Sequence, residues 1–495
     1  MLELLQKCEE DVRAGRGQHA AKGLARLNTA KIPRELLLSF ANVARRAGLY
    51  NLGLRILASI VYPDRNKWHL SATAAELAEY SVLLQKVGAV GEALRILERV
   101  DTQAVPEAHL YRAFCYFSKW DYELAIPELE SFLQDDLNPY MRLVGQVNLA
   151  AALVTTERMD EAQEILHQSI RLAEQGEFHR LRANGLELRA QTHIHQHNFI
   201  KAEDDLKVAQ VLLGNERTLD ELFVRKWKAI LKALISGDVS PVRQFRAEAQ
   251  RRSHWESVRE CDLYLLKMRF ENRLFHHLLV GTPFPAYRAR ILRELKQEID
   301  PAPYIWGVPD STCLDLSTGR MSDGSEFNPG KHIHRLLSAL LKDLYRPMRL
   351  AGIFAELFPG EHFDVHSSPG RVHQILRRAR QYFVGVGIPA NIQQTGGNYH
   401  FEITGRFSVR LPFQFIQISG NGLVLERLKN WAQPPIKKEF TALEARTALG
   451  LSLTGFHRFM TWALNEGHLR RVGAGPRTRY FLVGDKPFRQ AASAA

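Results

Sequence analysis

Through its first three hundred residues the chain repeats apolar positions at intervals of three and four, the spacing of one face of an α-helix. Few segments alternate apolar and polar residues as a half-buried strand would. A small residue recurs shortly after a short turn, near the start of the second helix of a pair. It stands at Gly53, Ala93, Ala125, Ala162 and Ala202, at intervals of 40, 32, 37 and 40 residues. The pattern predicts stacked helix pairs over residues 1–300.

The recurring small residue has a physical role, because it lets the two backbones of an antiparallel helix pair approach closely. Each pair leaves an apolar side that only the next pair can cover, so the pairs stack into a solenoid. The pattern resembles tetratricopeptide repeats, whose period is about 34 residues, in a degenerate form with helices of variable length. The resemblance implies a surface that binds a peptide, a protein or a small effector. The register is lost after residue 216, and a non-repetitive helical domain is the alternative.

The pattern changes after residue 300, where a proline-rich break precedes short alternating segments. The segment Leu314 to Met321 alternates and turns at a glycine, which predicts a hairpin. Helical stretches at residues 334–345 and 348–357 come next. A strongly basic helix then begins at Ser367 or Ser368, since serine is a favoured N-cap residue. A second hairpin follows, with two glycines at positions 396 and 397 as its tip.

Residues 301–405 resemble the winged-helix output domain of response regulators and antibiotic-regulatory activators. The shared features are Leu314-Asp315-Leu316, the helix from Val372 to Arg380, and a closing segment from Ile392 to Tyr399. Ala379 stands where that family usually has leucine. The resemblance implies that the helix enters the major groove of DNA and that its arginines contact guanine edges or phosphates. The alternative is a basic helix that contacts protein. The predicted DNA contacts are Arg371, His373, Gln374, Arg377, Arg378, Arg380 and Arg406.

Residues 436–495 carry a second pattern of this kind, after a predicted linker at residues 406–435. Thr441 and Glu444 have the spacing of a capping box at the start of a helix. A second helix begins at Ser452, and a glycine-rich turn at residues 473–475 joins two short strands. The segment resembles the winged helix-turn-helix of bacterial regulators, except that Arg446 replaces a small residue. Such modules also dock proteins. The predicted DNA contacts are Ser452, Thr454, His457, Arg458, Thr461, Arg470, Arg471, Arg477 and Arg479.

Charge is distributed unevenly along the chain. The net formal charge is +12 over 495 residues. Residues 331–495 contain 23 Lys and Arg against 10 Asp and Glu, a net charge of +13, whereas the preceding residues sum to −1. This asymmetry predicts a nucleic acid or a membrane surface as partner of the last third, and charge alone does not choose between them.

Several other functions are not expected. No apolar run is long enough to span a membrane, and acidic residues occupy the N-terminal positions where a signal peptide would be apolar, so we expect a cytoplasmic protein without a membrane partner. The four cysteines are far apart, which favours reduced, packed thiols. On a helix, positions two apart point about 200° away from each other, so residues 193, 195 and 197 do not form a metal site. Residues 324–332 lack the spacing of a phosphate-binding loop. We expect no catalytic residues, no metal, no cofactor and no enzyme activity.

The sequence therefore predicts a mainly α protein, with an N-terminal tetratricopeptide-like α-solenoid followed by two α+β winged-helix domains. We expect a bacterial transcription regulator that binds double-stranded DNA and whose repeats sense an effector or a protein partner. One alternative is a protein-interaction scaffold in which the winged helices dock protein partners, and another is an accessory subunit of a nucleic-acid enzyme. A homodimer would suit paired DNA half-sites, although two winged modules in one chain could replace it.

Overall fold

The computed structural model describes the chain from residue 1 to residue 483, with gaps. The described ranges are 1–14, 16–63, 71–214, 218–298, 303–325, 327, 330–413, 424–425, 428–429, 431–432, 439–449, 453–473, 475 and 478–483. They belong to two compact units. Unit 1 comprises Met1–Pro301, Leu340–Gln374 and Ile392–His400, and unit 2 comprises Ala302–Ala339, Ile375–Asn391 and Phe401–Ala495.

Most of unit 1 is a succession of α-helices, in which each helix packs against the next along the chain. The helices are α1 (Leu2–Arg13), α2 (Gly17–Leu24), α3 (Leu37–Arg46), α4 (Tyr50–Val61), α5 (Ala74–Val87), α6 (Val90–Leu97), α7 (Glu107–Phe117), α8 (Tyr122–Gln134), α9 (Pro139–Thr155), α10 (Met159–Gln175), α11 (His179–His195), α12 (Phe199–Leu213), α13 (Leu219–Ser236), α14 (Ser240–Arg251), α15 (Trp255–Met268), α16 (Asn272–Val280) and α17 (Pro285–Leu295). Short 3-10 turns at Thr29–Lys31 and Arg34–Leu36 precede α3.

The odd-numbered helices also contact one another, in two series. The contacts run from α3 through α5 to α7, and from α9 through α11, α13 and α15 to α17. A helix that packs against its partner and against the equivalent helix of the next pair is the defining arrangement of a helical-repeat stack. The predicted helical repeats are therefore confirmed, and we call the odd-numbered helices α3 to α17 the inner row.

A residue with positive φ stands in the turn of each predicted helix pair. These residues have φ between 57° and 96° and are Gly48, Gly88, Trp120, Glu157 and His197. Each precedes its pair's small residue by five positions, so the turns repeat at the same intervals as the small residues. After each turn residue, the next amide donates back across the helix end, as Leu49 N does to the Ala44 carbonyl at 2.8 Å. Such a bond is the 6→1 closure of a Schellman motif.

The small residues themselves are buried where their helices pack against neighbouring helices. The four alanines, from Ala93 to Ala202, are fully buried. At Gly53, an added Cβ would lie 2.8 Å from both terminal methyl groups of Leu83. Close approach of the helices therefore requires a small side chain at this position.

The repeats continue where the sequence register is lost. Gly237, with φ of 72°, separates α13 from α14, and the residue five positions later is Val242, which is fully buried. The position five residues after this positive-φ glycine is thus buried, as in the earlier pairs, but carries a valine. The aromatic residues Trp227 and Tyr264 are buried here, whereas Trp255 is half-buried.

Residues 303–413 form a mixed α and β segment that contributes to both units. Its elements are β1 (Tyr304–Gly307), β2 (Thr312–Asp315), β3 (Arg320–Met321), α18 (His332–Leu341), β4 (Met348–Arg349), α19 (Leu350–Leu357), α20 (Ser368–Gly385), β5 (Ala390–Thr395), β6 (Asn398–Ile403) and β7 (Phe407–Leu411). The strands form two sheets, with orders β1-β7-β2-β3 and β4-β6-β5. In the first sheet β2 and β7 are parallel, whereas β1 with β7 and β2 with β3 are antiparallel.

Both predicted hairpins are present. Leu314 pairs with Met321 across β2 and β3, and Gly319 in the intervening turn has φ of 70°. Gly396 and Gly397 join β5 to β6 with φ of 57° and 78°, which is the backbone that a two-residue hairpin turn requires. The predicted helix at residues 334–345 is shorter than expected, because α18 ends at Leu341.

The C-terminal described residues fold around a core of their own in unit 2. The elements are α21 (Ala442–Leu449), α22 (Leu453–Asn465), β8 (Leu469–Val472) and β9 (Arg479–Leu482). Phe440 bridges to Tyr480 with backbone bonds of 3.1 and 2.8 Å.

Parts of the predicted linker at residues 406–435 are folded. Residues 407–411 form β7, and Leu425 and Leu428 are buried in the same core as Phe440 and Phe459. The strand forms because Phe407, Val409 and Leu411 are all buried. Across the described ranges, no helix is both long and apolar enough to cross a lipid bilayer.

Candidate functional site

Helix α20 has an apolar side and a basic side. Val372, Ile375, Leu376 and Ala379 are buried, at the three- and four-residue spacing of one helix face. The exposed residues between them are Arg371, His373, Gln374, Arg377 and Arg378, whereas Arg380 is half-buried. The N-terminus of the helix is supported by Asp364, whose carboxylate accepts from the backbone amides of His366 and Ser367, both at 2.7 Å.

Two of the predicted contact residues already have partners within unit 1. The Arg371 guanidinium donates to both carboxylate oxygens of Glu361, at 2.5 and 3.1 Å. It also lies 3.8 Å from the ring centroid of Phe358. His373 Nε2 is 3.0 Å from the hydroxyl of Tyr399 in β6. These contacts orient the first turns of α20, and a DNA contact by Arg371 would compete with Glu361.

The next two arginines of α20 differ from Arg371 in their contacts. Within the described ranges, Arg377 and Arg378 form no hydrogen bond or ion pair, and both side chains are exposed. Arg406, after β6, is also exposed and donates to the carbonyl of Asp310 at 3.3 Å. An exposed pair of arginines on successive residues is available for an anionic partner.

The second module has the predicted local structure. Thr441 and Glu444 form the capping box, with the Thr441 amide donating to Glu444 Oε2 at 2.8 Å and the Glu444 amide donating to Thr441 Oγ1 at 3.3 Å. On α22, Phe456 and Phe459 are buried, while His457, Arg458 and Thr461 are exposed. This helix therefore has a core face and an exposed face, and His457, Arg458 and Thr461 lie on the exposed one.

The predicted wing of the second module is the β8–β9 hairpin. Arg470 and Arg471 are exposed, and Arg479 is half-buried. The guanidinium of Arg470 lies 5.5 Å from the ring centroid of Phe481 on the paired strand. The predicted contacts Ser452 and Arg477, and the side chain of Thr454, lie outside the described residues.

The inner row of unit 1 presents a second candidate surface. From Met141 to Thr155 in α9, and from Leu181 to Ile194 in α11, every residue is buried or half-buried. Five of these helices, α7, α9, α11, α13 and α15, hold at least one buried polar atom that has no hydrogen-bond partner among the described residues. Examples are Gln146 Oε1 in α9, His193 Nδ1 in α11 and Ser257 Oγ in α15. Unpaired buried polar groups are costly, and each one needs a physical explanation.

A buried ion-pair network joins α15 to the residues after α18, all within unit 1. The Arg259 guanidinium is completely buried, and Nη1 donates to Glu256 Oε2 at 2.7 Å. Its Nη2 donates to both oxygens of Asp343, at 2.7 and 2.8 Å. Nearby, the Tyr345 hydroxyl donates to Asp262 Oδ2 at 2.8 Å. Residues 343–345 are therefore held firmly against α15.

The turn that precedes α20 is held by the repeats in the same unit. The backbone amide of Phe363 donates to Glu92 Oε2 at 2.8 Å, and the Tyr62 hydroxyl donates to Glu92 Oε1 at 2.7 Å. The ring of His362 stacks on Tyr62 with 4.3 Å between centroids. A movement of α4 or α6 would therefore shift the residues that lead into α20.

A cavity of about 100 Å³ opens among α3, α5, α6 and α7. Its lining is mainly apolar, with charged residues added. The lining residues are Arg45, Ser81, Val82, Gln85, Lys86, Leu97, Tyr111, Phe114 and Cys115. Neither this cavity nor the ion-pair network was predicted from sequence, since their members come from distant positions and share no motif.

No protein-family model and no curated protein matches the chain. Solved structures that match include "MamA RS-1 ArsTM double mutant", with 15% identity and a TM-score of 0.29, which covers 36% of this chain and 94% of that one. Another is "MamA MSR-1 C2", with 19% identity and a TM-score of 0.29, which covers 36% of this chain and 95% of that one.

Proposed function

We propose that the protein is an interaction scaffold whose inner row of repeat helices binds a polypeptide partner. The observation that carries the proposal is the inner row itself, where the odd-numbered helices contact one another in series and present half-buried side chains along their length. Stacked helix pairs commonly use such extended surfaces for binding.

The C-terminal modules would also dock protein in this proposal. Leu443 in α21 is 65% exposed and Leu453 in α22 is 57% exposed. Two large apolar side chains exposed on one small module favour a protein contact, because burying them on association is favourable. The firm attachment of residues 343–345 and 362–363 to the repeats would connect partner binding to the start of α20.

The test is site-specific photo-crosslinking in cells that express the full chain. A photoreactive phenylalanine at Asn148, on the inner helix α9, should give a discrete adduct with a polypeptide. The matched control places the same residue at Lys207, on the exposed side of α12, and should give none. Absence of any adduct from Asn148, or equal adducts from both positions, would refute the proposal.

Duplex DNA binding is the second candidate function. The observations that favour it are the exposed Arg377 and Arg378 on α20 and the net charge of +13 over residues 331–495. The chain order α18, β4, α19, α20, β5 and β6, with β4, β6 and β5 in one sheet, is also what the resemblance to winged-helix domains leads one to expect. A transcription regulator would use this segment on DNA and the repeats as its sensor.

A further inference from the structure

The cavity among α3, α5, α6 and α7 has an arrangement of apolar and charged groups that suits one class of ligand. Val82, Leu97 and Phe114 supply an apolar lining. Lys86 also lines the cavity, and its side chain is partly accessible to solvent. A ligand that fits must therefore be apolar at one end and anionic at the other.

The charge around the opening is unbalanced. Arg45 is paired with Glu79, with Nε donating to Oε1 at 2.7 Å. Lys86 has no ion pair within the described ranges, and Arg349 donates to the carbonyl of Lys86 itself. Burial, together with the charges of Arg45 and Arg349, lowers the pKa of Lys86. A bound anion would reverse the effect of these neighbouring cations.

The size of the cavity limits the apolar part. An apolar cavity of about 150 Å³ admits benzene, so about 100 Å³ suits a branched aliphatic group of three or four carbons and excludes an indole. We propose that this cavity binds a small aliphatic monocarboxylate, with the alkyl group against Val82, Leu97 and Phe114 and the carboxylate at Lys86. The ligand is distinct from the polypeptide partner proposed for the inner row.

A ligand in the cavity would also affect residues outside it, because Lys86 lines the cavity and also contacts the segment that contains Arg349. The Arg349 guanidinium donates to its carbonyl, and Arg349 Cβ is within 3.6 Å of the position that a Cβ on Gly88 would take. A ligand carboxylate that binds Lys86 would therefore lie close to β4 and to the start of α19.

Isothermal titration of the full chain with isovalerate tests the inference. Isovalerate should bind at least tenfold more tightly than isovaleramide, which lacks the charge, and than 3-indolepropionate, which is too large. Lys86→Met should weaken isovalerate at least tenfold, Lys86→Arg should retain most of the affinity, and Lys228→Met, at an exposed lysine of α13, should change nothing.

Equal binding of the acid and the amide, absence of isovalerate binding, or equal loss in the two methionine variants would overturn it. A peptide ending in a free leucine carboxylate that binds tenfold more tightly than isovalerate would overturn the assignment to a free acid. Circular dichroism verifies that each variant is folded. None of these outcomes bears on the photo-crosslinking result, since Asn148 lies on a different helix from the cavity.

Discussion

Arg259 and Asp343 lie 84 positions apart in the sequence, yet Arg259 Nη2 donates to both carboxylate oxygens of Asp343 at 2.7 and 2.8 Å. The arginine is completely buried, whereas Asp343 retains 12% of its side-chain exposure. The other ion-pair partner of Arg259 is Glu256. Removal of Asp343 would leave the buried guanidinium with one of its three charge-assisted hydrogen bonds.

Asp343→Ala should therefore lower the free energy of unfolding by about 3–5 kcal/mol, the usual cost of breaking a buried ion pair by deleting one partner. Urea unfolding followed by circular dichroism measures the change. Glu203→Ala is the control, because the Glu203–Lys207 pair on α12 is exposed, and it should leave the midpoint unchanged. Similar losses in the two variants would show that the buried pair has no special role.

Gly53 and Gly91 lie in successive repeats. Substitution by alanine should lower the stability of the chain at Gly53 and raise it at Gly91. A Cβ at Gly53 would lie 2.8 Å from both terminal methyl groups of Leu83, and overpacking of this kind costs about 1–3 kcal/mol. At Gly91 the nearest atom is Arg95 Nη1, 3.9 Å away, so alanine should stabilise the chain by about 0.4–1 kcal/mol. Thermal unfolding of the two variants measures both changes. A shift of the unfolding temperature in the same direction for both would contradict the prediction.

Glu187 predicts a dependence of stability on pH. Burial raises the pKa of Glu187 to about 7, although Gln191 Nε2 donates to its carboxylate at 2.8 Å. Because the unfolded chain loses this proton at a lower pH than the folded chain, the stability is full below about pH 4.5 and declines until about pH 7. The decline is about 3 kcal/mol, at 1.36 kcal/mol for each pKa unit.

Glu187→Gln should remove this decline, so that the variant is more stable than the natural chain at pH 8 and of similar stability at pH 4.5. Urea titrations at a series of pH values measure it. Glu203→Gln, on the exposed side of α12, should leave the pH profile as it is. A profile that is unchanged by Glu187→Gln would place the titrating group elsewhere.

The exposed arginines of α20 predict how salt affects DNA binding. If Arg377 and Arg378 each neutralise one phosphate, the double alanine variant should reduce the slope of log affinity against log salt by about 2. Fluorescence anisotropy with a labelled duplex measures the slope. The matched control is Arg243→Ala with Arg251→Ala, two exposed arginines of α14. DNA binding at low salt that neither double variant alters would exclude α20 as the DNA contact.

The features that could be predicted from sequence are those with short-range physical causes. The capping box at Thr441 and Glu444 depends on a spacing of three residues, and the hairpin at Gly396 and Gly397 depends on two backbones with positive φ. The helix pairs could be found from their small residues up to Ala202. The register was lost afterwards because Val242 occupies the equivalent position in the next pair.

The remaining features join residues that are far apart in sequence. The alternation of Phe407, Val409 and Leu411 was available as a strand pattern, but assigning it to a linker hid its pairing with β1 and β2. Nothing near Arg371 indicates that it would pair with Glu361, ten positions earlier. The cavity at Lys86 depends on four helices, so no local pattern could have indicated it.

The fixed distance of five residues from each turn to its buried small residue tells a protein engineer where this chain can be lengthened. Gln103, in the connection between α6 and α7, is exposed, and it lies in the shortest of the four intervals. An affinity tag or a fluorescent reporter inserted at Gln103 should leave the helix contacts intact. The same insertion between Gly88 and Ala93 would pull apart a helix pair whose turn and contact point must keep their separation.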